Sequence, residues 1–176
     1  MRNTSRTWPK ALALLVMVLT SLYLLIGGAW LMSLGGSWYY LIVGVLLAMV
    51  SVLYAKNRSS SLWLYSSILL GTLLWGLWEV GSDFWALAPR VDVWFLLGLW
   101  LILPFTGRQL GDAGKPKAAM ATIMLAILAT LAYSWFNDPQ EINGTISRAQ
   151  PAPAVTAGIA NEDWPAYART QGGARY

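Results

Sequence analysis

The stretch SSSLWLYSSILLGTLLWGLWEVGSDFWALAPRVDVWFLLGLWLILPFTG, residues 59–107, decides the fold. The twenty positions between Arg58 and Glu79 carry no charge, and at 1.5 Å rise each, twenty residues make a helix of about 30 Å, the thickness of a bilayer core. From Val93 to Gly107 another fifteen positions are uncharged. They form a shorter span, which must thin the bilayer, tuck against its neighbours or admit Arg90 and Asp92 at its mouth. The loop between the two runs holds Glu79, Asp83, Arg90 and Asp92, and it is where chemistry in a membrane domain is expected.

The rest of the composition agrees. Of 176 residues 57% are hydrophobic and only 11% charged, with a mean hydropathy of +0.52, which excludes a soluble globule and points to a multi-span membrane protein. There is no cysteine and no histidine. Disulfides, thiol nucleophiles, Cys/His metal sites and histidine acid–base chemistry are thereby excluded together. The formal charge of +4 comes from basic residues in short loops between apolar runs, so topology explains it and no nucleic-acid role is assigned.

Outward from the deciding stretch, Lys10 to Lys56 encloses 45 uncharged residues. That is too long for one span and right for two, joined at Gly35-Gly36-Ser37, with Gly27, Gly28, Gly35 and Gly36 marking the end of the first helix and its turn. The basic start, with Arg2, Arg6 and Lys10, resembles a signal peptide. The apolar run is too long for one and lacks an Ala-x-Ala site, so a retained helix is expected. Ser60 or Ser61 is expected to cap the third helix. The fourth is expected to start near Val91 with Pro89 in its first turn, and Pro116 to open the fifth. The reading is thus an all-α integral membrane domain, residues 1–136, with five transmembrane helices at about 11–31, 38–55, 62–79, 91–105 and 118–136. Alternate loops place eight basic residues (Arg2, Arg6, Lys10, Lys56, Arg58, Arg108, Lys115, Lys117) on one side, against Arg90, Arg148, Arg169 and Arg175 on the other. The bias predicts a cytoplasmic N-terminus and a periplasmic C-terminus. Residues 137–160 read as a periplasmic linker, extended at Pro151-Ala-Pro-Ala154, and 161–176 as the opening of something folded.

Several blocks then resemble a known family: Tyr23-Leu-Leu-Ile-Gly-Gly-Ala-Trp30, Gly35-Gly-Ser-Trp-Tyr39, Trp75-Gly-Leu-Trp-Glu-Val-Gly81, Phe84-Trp-Ala-Leu87, Pro89-Arg90, Trp100-Leu-Ile-Leu-Pro104 and Phe136-Asn-Asp-Pro-Gln-Glu-Ile-Asn-Gly-Thr145. They resemble the N-terminal membrane domain of membrane-bound, pyrroloquinoline quinone (PQQ)-dependent glucose dehydrogenases and their quinate, shikimate and polyol relatives. Asp163-Trp164, Arg169 and Tyr176 resemble the signature that opens that family's periplasmic propeller, with Ala168 where the family usually has glycine. The resemblance implies an oxidoreductase of the bacterial inner membrane. Its propeller oxidises an aldose or polyol with PQQ and a calcium or magnesium ion and passes electrons to ubiquinone. It also implies that the chain is a fragment truncated at the start of the propeller and inactive alone. No catalytic, PQQ-binding or metal-ligating residue of this chain is assigned. The expected partners are the lipid bilayer, ubiquinone and the propeller of the same protein; the alternative is a standalone anchor or assembly subunit for a separate periplasmic redox protein.

The candidate quinone-interacting residues are Glu79, Asp83, Arg90, Asp92, Trp78 and Trp85. Glu79 and Asp83 share a face if the third helix continues past Gly81, and then line a quinone entry or take up protons; if glycine breaks the helix, the carboxylates simply face water. Arg90 with Asp92 is either a local ion pair or the oriented part of a pocket. The tryptophans at 30, 38, 63, 78, 94 and 135 fit interface anchoring, while Trp75 and Trp100 lie inside spans and must pack on protein or lipid.

Overall fold

The computed structural model describes residues 8–103, 110, 113–137 and 139. All belong to the first of two compact units, Met1–Gln140; the second is Glu141–Tyr176. The described residues form five α-helices: α1 (Trp8–Ser33), α2 (Tyr39–Ala55), α3 (Ser60–Val80), α4 (Phe84–Ile102) and α5 (Gly114–Phe136). Four of them, α1, α3, α4 and α5, are long and apolar enough to cross a membrane. The fifth, α2, has 17 residues, about 25 Å, against 26 residues and about 39 Å for α1. Ile26, Leu96 and Leu125 stand about two-thirds exposed. Helices apolar on their outer faces as well as at their contacts are built for lipid rather than water, so the chain is an all-α, multi-pass membrane protein.

The first two helices form a tight hairpin. The N–H of Gly36 donates to Leu31 O at 2.9 Å and that of Gly35 to Met32 O at 3.0 Å, with Gly35 at φ 80°; this is a Schellman stop, which needs the left-handed conformation that glycine supplies. Gly27 and Gly28 were expected at the helix end, but they lie inside α1. Gly28 is there for packing, since a Cβ on it would sit 2.6 Å from Leu41 N of α2, and one on Gly44 would sit 3.0 Å from Leu25 N of α1. The far end of α2 stops in the same way, with Asn57 at φ 54° and Arg58 N donating to Leu53 O at 3.0 Å. There Lys10 donates to Asn57 Oδ1 and lies 5.7 Å from the Tyr54 ring centre, clasping the open ends of the hairpin.

At the next turn neither Ser60 nor Ser61 caps α3. Both are already helical; the cap position belongs to Ser59, whose αR backbone leaves its side chain without a cap bond, and Ser61 Oγ points back to Arg58 O.

Helix α3 is the hub, packed against α2, α4 and α5, while α1 touches α4 only thinly. Tyr65, fully buried, donates its hydroxyl to Trp94 O of α4 at 2.7 Å. Gly98 of α4 sits over Tyr65, Leu69 and the Met124 sulfur of α5, so three helices meet where one of them has no side chain. Gly76 likewise lies under Leu87, whereas Gly71 faces open space.

Helix α3 ends at Val80, because Gly81 takes φ 65° and ψ −143°, a region that side chains with a Cβ avoid. Asp83 then starts a new helix, its Oδ1 accepting from Trp85 N at 2.9 Å and Ala86 N at 3.3 Å. Helix α4 therefore begins at Phe84 rather than near Val91, and Pro89 lies within it. Proline removes one N–H from a helix and crowds the carbonyl four residues back, which is most tolerable near a start. Five residues ahead of it are helical here because Asp83 supplies a strong cap. At the other end Leu103, which precedes Pro104, is extended at ψ 145°, as the residue before proline prefers. Pro116 falls in the first turn of α5 as expected. The expected linker and propeller start lie outside the described residues apart from Asn137 and Pro139.

Candidate functional site

Because α1 and α4 barely touch, a gap opens between them at the end of the bundle where α1 and α3 finish and α2 and α4 begin. It is a partly open cavity of about 490 Å³, with Tyr23 on α1, Tyr39 on α2, Trp75 and Glu79 on α3, and Arg90 and Trp94 on α4 among its walls. That volume is in the range of small-molecule sites, which are mostly apolar with a few placed polar groups.

The mouth is charged. Arg90 Nε donates to Glu79 Oε2 at 3.2 Å, and Arg90 Nη1 donates to Ala86 O at 2.5 Å, so one guanidinium joins the end of α3 to the first turns of α4 beside Pro89. The side chains are 40% and 44% exposed; the pair is wet and contributes at most about 1 kcal/mol. Deeper in, the walls are aromatic. The Trp75 ring stands 5.6 Å from Tyr39 and 5.6 Å from Trp78, and Tyr39 stands 5.3 Å from Tyr40. At the inner end the hydroxyls of Tyr39 and Thr72 are 2.7 Å apart. Thr72 precedes Glu79 by seven residues of one helix, which places it about 10 Å below the ion pair.

Of the six candidates from the sequence, Glu79 and Arg90 come together at this cavity. Asp83 does not share a helix with Glu79, because the chain turns at Gly81; its carboxylate is spent on capping α4. Arg90 pairs with Glu79 and not with Asp92, whose Oδ1 accepts from the N–H of Val93. Trp78 is 78% exposed and reaches the site only through its contact with Trp75. Trp85 points elsewhere, joining Phe84 and Trp135 in an exposed cluster with ring centres 4.8 to 5.9 Å apart. Trp94, expected at the interface, is 7% exposed, because α4 starts early and carries it a full ten residues into the bundle. Tyr39, Thr72 and Trp75 are the functional candidates that charge-based reading passes over. Their signal is a hydroxyl or an indole placed inside an uncharged run. Among the described residues no group of three His, Cys, Asp or Glu side chains gathers as a metal site.

Comparison with known proteins gives this geometry a context. Over 108 residues the chain is 40% identical to the glycerol dehydrogenase small subunit of Gluconobacter oxydans (strain 621H), a match that takes in 58% of this chain and 86% of that subunit. Over 174 residues, 98% of this chain, it is 48% identical to quinoprotein glucose dehydrogenase A of Acinetobacter calcoaceticus, and equally to the quinoprotein glucose dehydrogenase of Escherichia coli (strain K12). The chain belongs to the membrane-domain family of the quinoprotein dehydrogenases. It spans 22% of the length of those two glucose dehydrogenases and matches their N-terminal part. No family model matches it, and no solved structure does. The chain thus matches both the N-terminal part of long quinoprotein dehydrogenases and most of the length of a dehydrogenase small subunit.

Proposed function

We propose that this chain is the membrane part of a PQQ-dependent sugar or polyol dehydrogenase of the bacterial inner membrane. It holds the catalytic propeller at the periplasmic face and takes part in passing electrons to ubiquinone. All five helices span in this reading, with α2 as the short arm of a hairpin. The lysine and arginine bias puts the N-terminus in the cytoplasm and the cavity at the outer face. PQQ and its calcium or magnesium ion are assigned to the propeller on the likeness to the quinoprotein glucose dehydrogenases, and no step of sugar oxidation is assigned to these helices.

The observation that carries the quinone reading is the cavity itself. Residues of α1, α2, α3 and α4 line it, it has aromatic walls for a flat ring, and it has hydrogen-bond donors at both ends, so its residues fit a ubiquinone head. Ubiquinone, when bound, accepts two electrons and two protons. Around it Trp75 and Tyr39 would flank the ring, Arg90 would present N–H groups at the mouth, and the exposed Glu79 carboxylate would connect the mouth with water, from which protons come. The test is titration of the chain in nanodiscs with a ubiquinone of short tail, read by quenching of tryptophan fluorescence against quinone-free lipid. Saturable quenching in the micromolar range supports the reading. Strictly linear, collisional quenching would leave the chain as an anchor, with the quinone site built by the catalytic part.

The match to glycerol dehydrogenase small subunits favours a second reading, a separate anchor or assembly subunit that holds a periplasmic redox partner. Sequencing of the DNA downstream of Tyr176 separates the two. Continuation into tryptophan-rich repeats supports the first, and a stop codon supports the second.

A further inference from the structure

The inner end of the cavity holds a proton with nowhere to go. Ser51, Ser66, Thr122 and Thr130 each donate to the carbonyl four residues back in their own helix, at 2.8, 2.7, 3.0 and 2.9 Å, while the buried Ser134 hydroxyl, away from the cavity lining, has no partner among the described residues. Thr72 does otherwise. Its Oγ1 turns across to Tyr39 Oη of α2, 2.7 Å away, with either atom able to donate. Two hydroxyls carry two protons, and one mutual bond uses one of them. The second side-chain neighbour of the Tyr39 hydroxyl is the Trp94 indole, whose N–H is a donor and cannot accept. Whichever way the mutual bond runs, one O–H is left over and, among the described residues, no side chain or carbonyl accepts it.

Thr72 is 3% exposed, and both residues line the cavity. An O–H in such a place needs an acceptor, since an unmade bond there costs about 1–3 kcal/mol. The acceptor must come from the cavity contents. Arg90 at the mouth differs, as its Nε and Nη1 are already engaged by Glu79 and Ala86 and its exposure lets water compete for the rest.

We propose that the Tyr39–Thr72 hydroxyl pair is the hydrogen-bond anchor for one ring carbonyl of a quinone, holding the head group at the inner end of the cavity rather than at the charged mouth. The inference rests on the quinone reading above and adds to it which end of the cavity recognises the ring. Tyr39 stands edge-on to Tyr40, and Trp75 tilts against Tyr39 at 41°, so a bound ring would meet Trp75 at its face and the hydroxyl pair at its oxygen. Tyr40, whose ring also lines the cavity, contributes shape without a hydrogen bond.

The experiment uses the whole chain in nanodiscs and two probes of equal tail length: a short-tailed ubiquinone, and an arene bearing the same tail but no ring oxygen. Affinity is measured by calorimetry for wild type, Tyr39→Phe, Thr72→Val, Thr72→Ser and Tyr40→Phe, with helical circular dichroism and melting as the folding control. Tyr39→Phe and Thr72→Val are expected to weaken quinone binding about five- to tenfold, matching the loss of one hydrogen bond, and to leave arene binding unchanged. Thr72→Ser and Tyr40→Phe are expected to bind the quinone as wild type does. The infrared carbonyl band of the bound quinone is expected to be lowered in wild type and to return toward its lipid value in Tyr39→Phe. Saturable wild-type binding that Tyr39→Phe and Thr72→Val leave intact would overturn this inference alone. An equal loss for both probes would overturn it too, as a change of cavity shape. Absence of saturable binding to wild type would overturn the quinone reading and this inference with it.

Discussion

Gly28 of α1 and Leu41 of α2 are in backbone contact: a single methyl group on Gly28 would lie 2.6 Å from the Leu41 nitrogen. This approach sets the hairpin on which one wall of the cavity depends, because Tyr39 is two residues before Leu41 and takes its place from the same contact.

Gly28→Ala is therefore expected to push α1 away from α2 and to destabilise the chain by about 1–3 kcal/mol, the usual cost of overpacking. Gly27→Ala next to it meets nothing within 4 Å and is expected to be neutral or to stabilise by up to about 1 kcal/mol, since alanine is the better helix former. Unfolding in sodium dodecyl sulfate titrations compares the two. Equal stability of the two variants would contradict the contact.

Asp83 acts as a cap. Asp83→Ala is expected to cost about 0.5–2 kcal/mol, and Asp83→Asn to recover most of it, because the amide oxygen still accepts from Trp85 and Ala86. The same titrations check this. If Asn behaves like Ala, the carboxylate charge matters and the cap does not.

The Glu79–Arg90 pair is half in water, so Glu79→Gln is expected to change stability by less than about 1 kcal/mol, and half-molar salt to shrink that difference further. Arg90→Ala is expected to cost more than Glu79→Gln, since it also strips the Ala86 carbonyl of its side-chain donor next to Pro89. The reverse order would show that the ion pair, and not the bridge to Ala86, is what holds the start of α4.

Removing both carboxylates, Glu79→Gln with Asp83→Asn, keeps the cap and empties the mouth of negative charge. If Glu79 helps to form the quinone entry, ubiquinone affinity is expected to fall severalfold in nanodiscs with folding intact. Unchanged affinity would remove Glu79 from the site and leave Arg90 and the inner hydroxyl pair to recognise the ring.

Much of the fold could be read from where charges are missing. Uncharged runs between Lys10, Lys56, Glu79 and Asp92 and after Lys117, together with Gly35-Gly36, point to the number and order of the described helices, and blocks such as Trp75 to Gly81 point to the family. The start of α4 was misread for a physical reason. Pro89 fits the first turn of a helix, but the cap at Asp83 is a local rule of equal strength, and in sequence Asp83 presents itself first as a charge. The site was half legible. Glu79 and Arg90 announce themselves in an apolar chain, whereas Tyr39 and Thr72 meet only because two helices, both apolar nearly all round, are rotated to face each other. A sequence that is hydrophobic on every face carries little record of that rotation; buried hydroxyls such as Thr72 are the marks to follow instead.

The hairpin of α1 and α2 has one arm of about 39 Å and one of about 25 Å, and a bilayer core of about 30 Å matches neither. With all five helices spanning, as proposed above, lipid headgroups beside α2 would be drawn inward where α1 stands tall and α2 stops short, as a shoreline follows a shelf. The short arm begins at Tyr39. In such a dimple the boundary between water and oil descends toward the cavity, so a lipid-borne molecule would reach its entrance with its tail still in oil and its polar head already at the boundary.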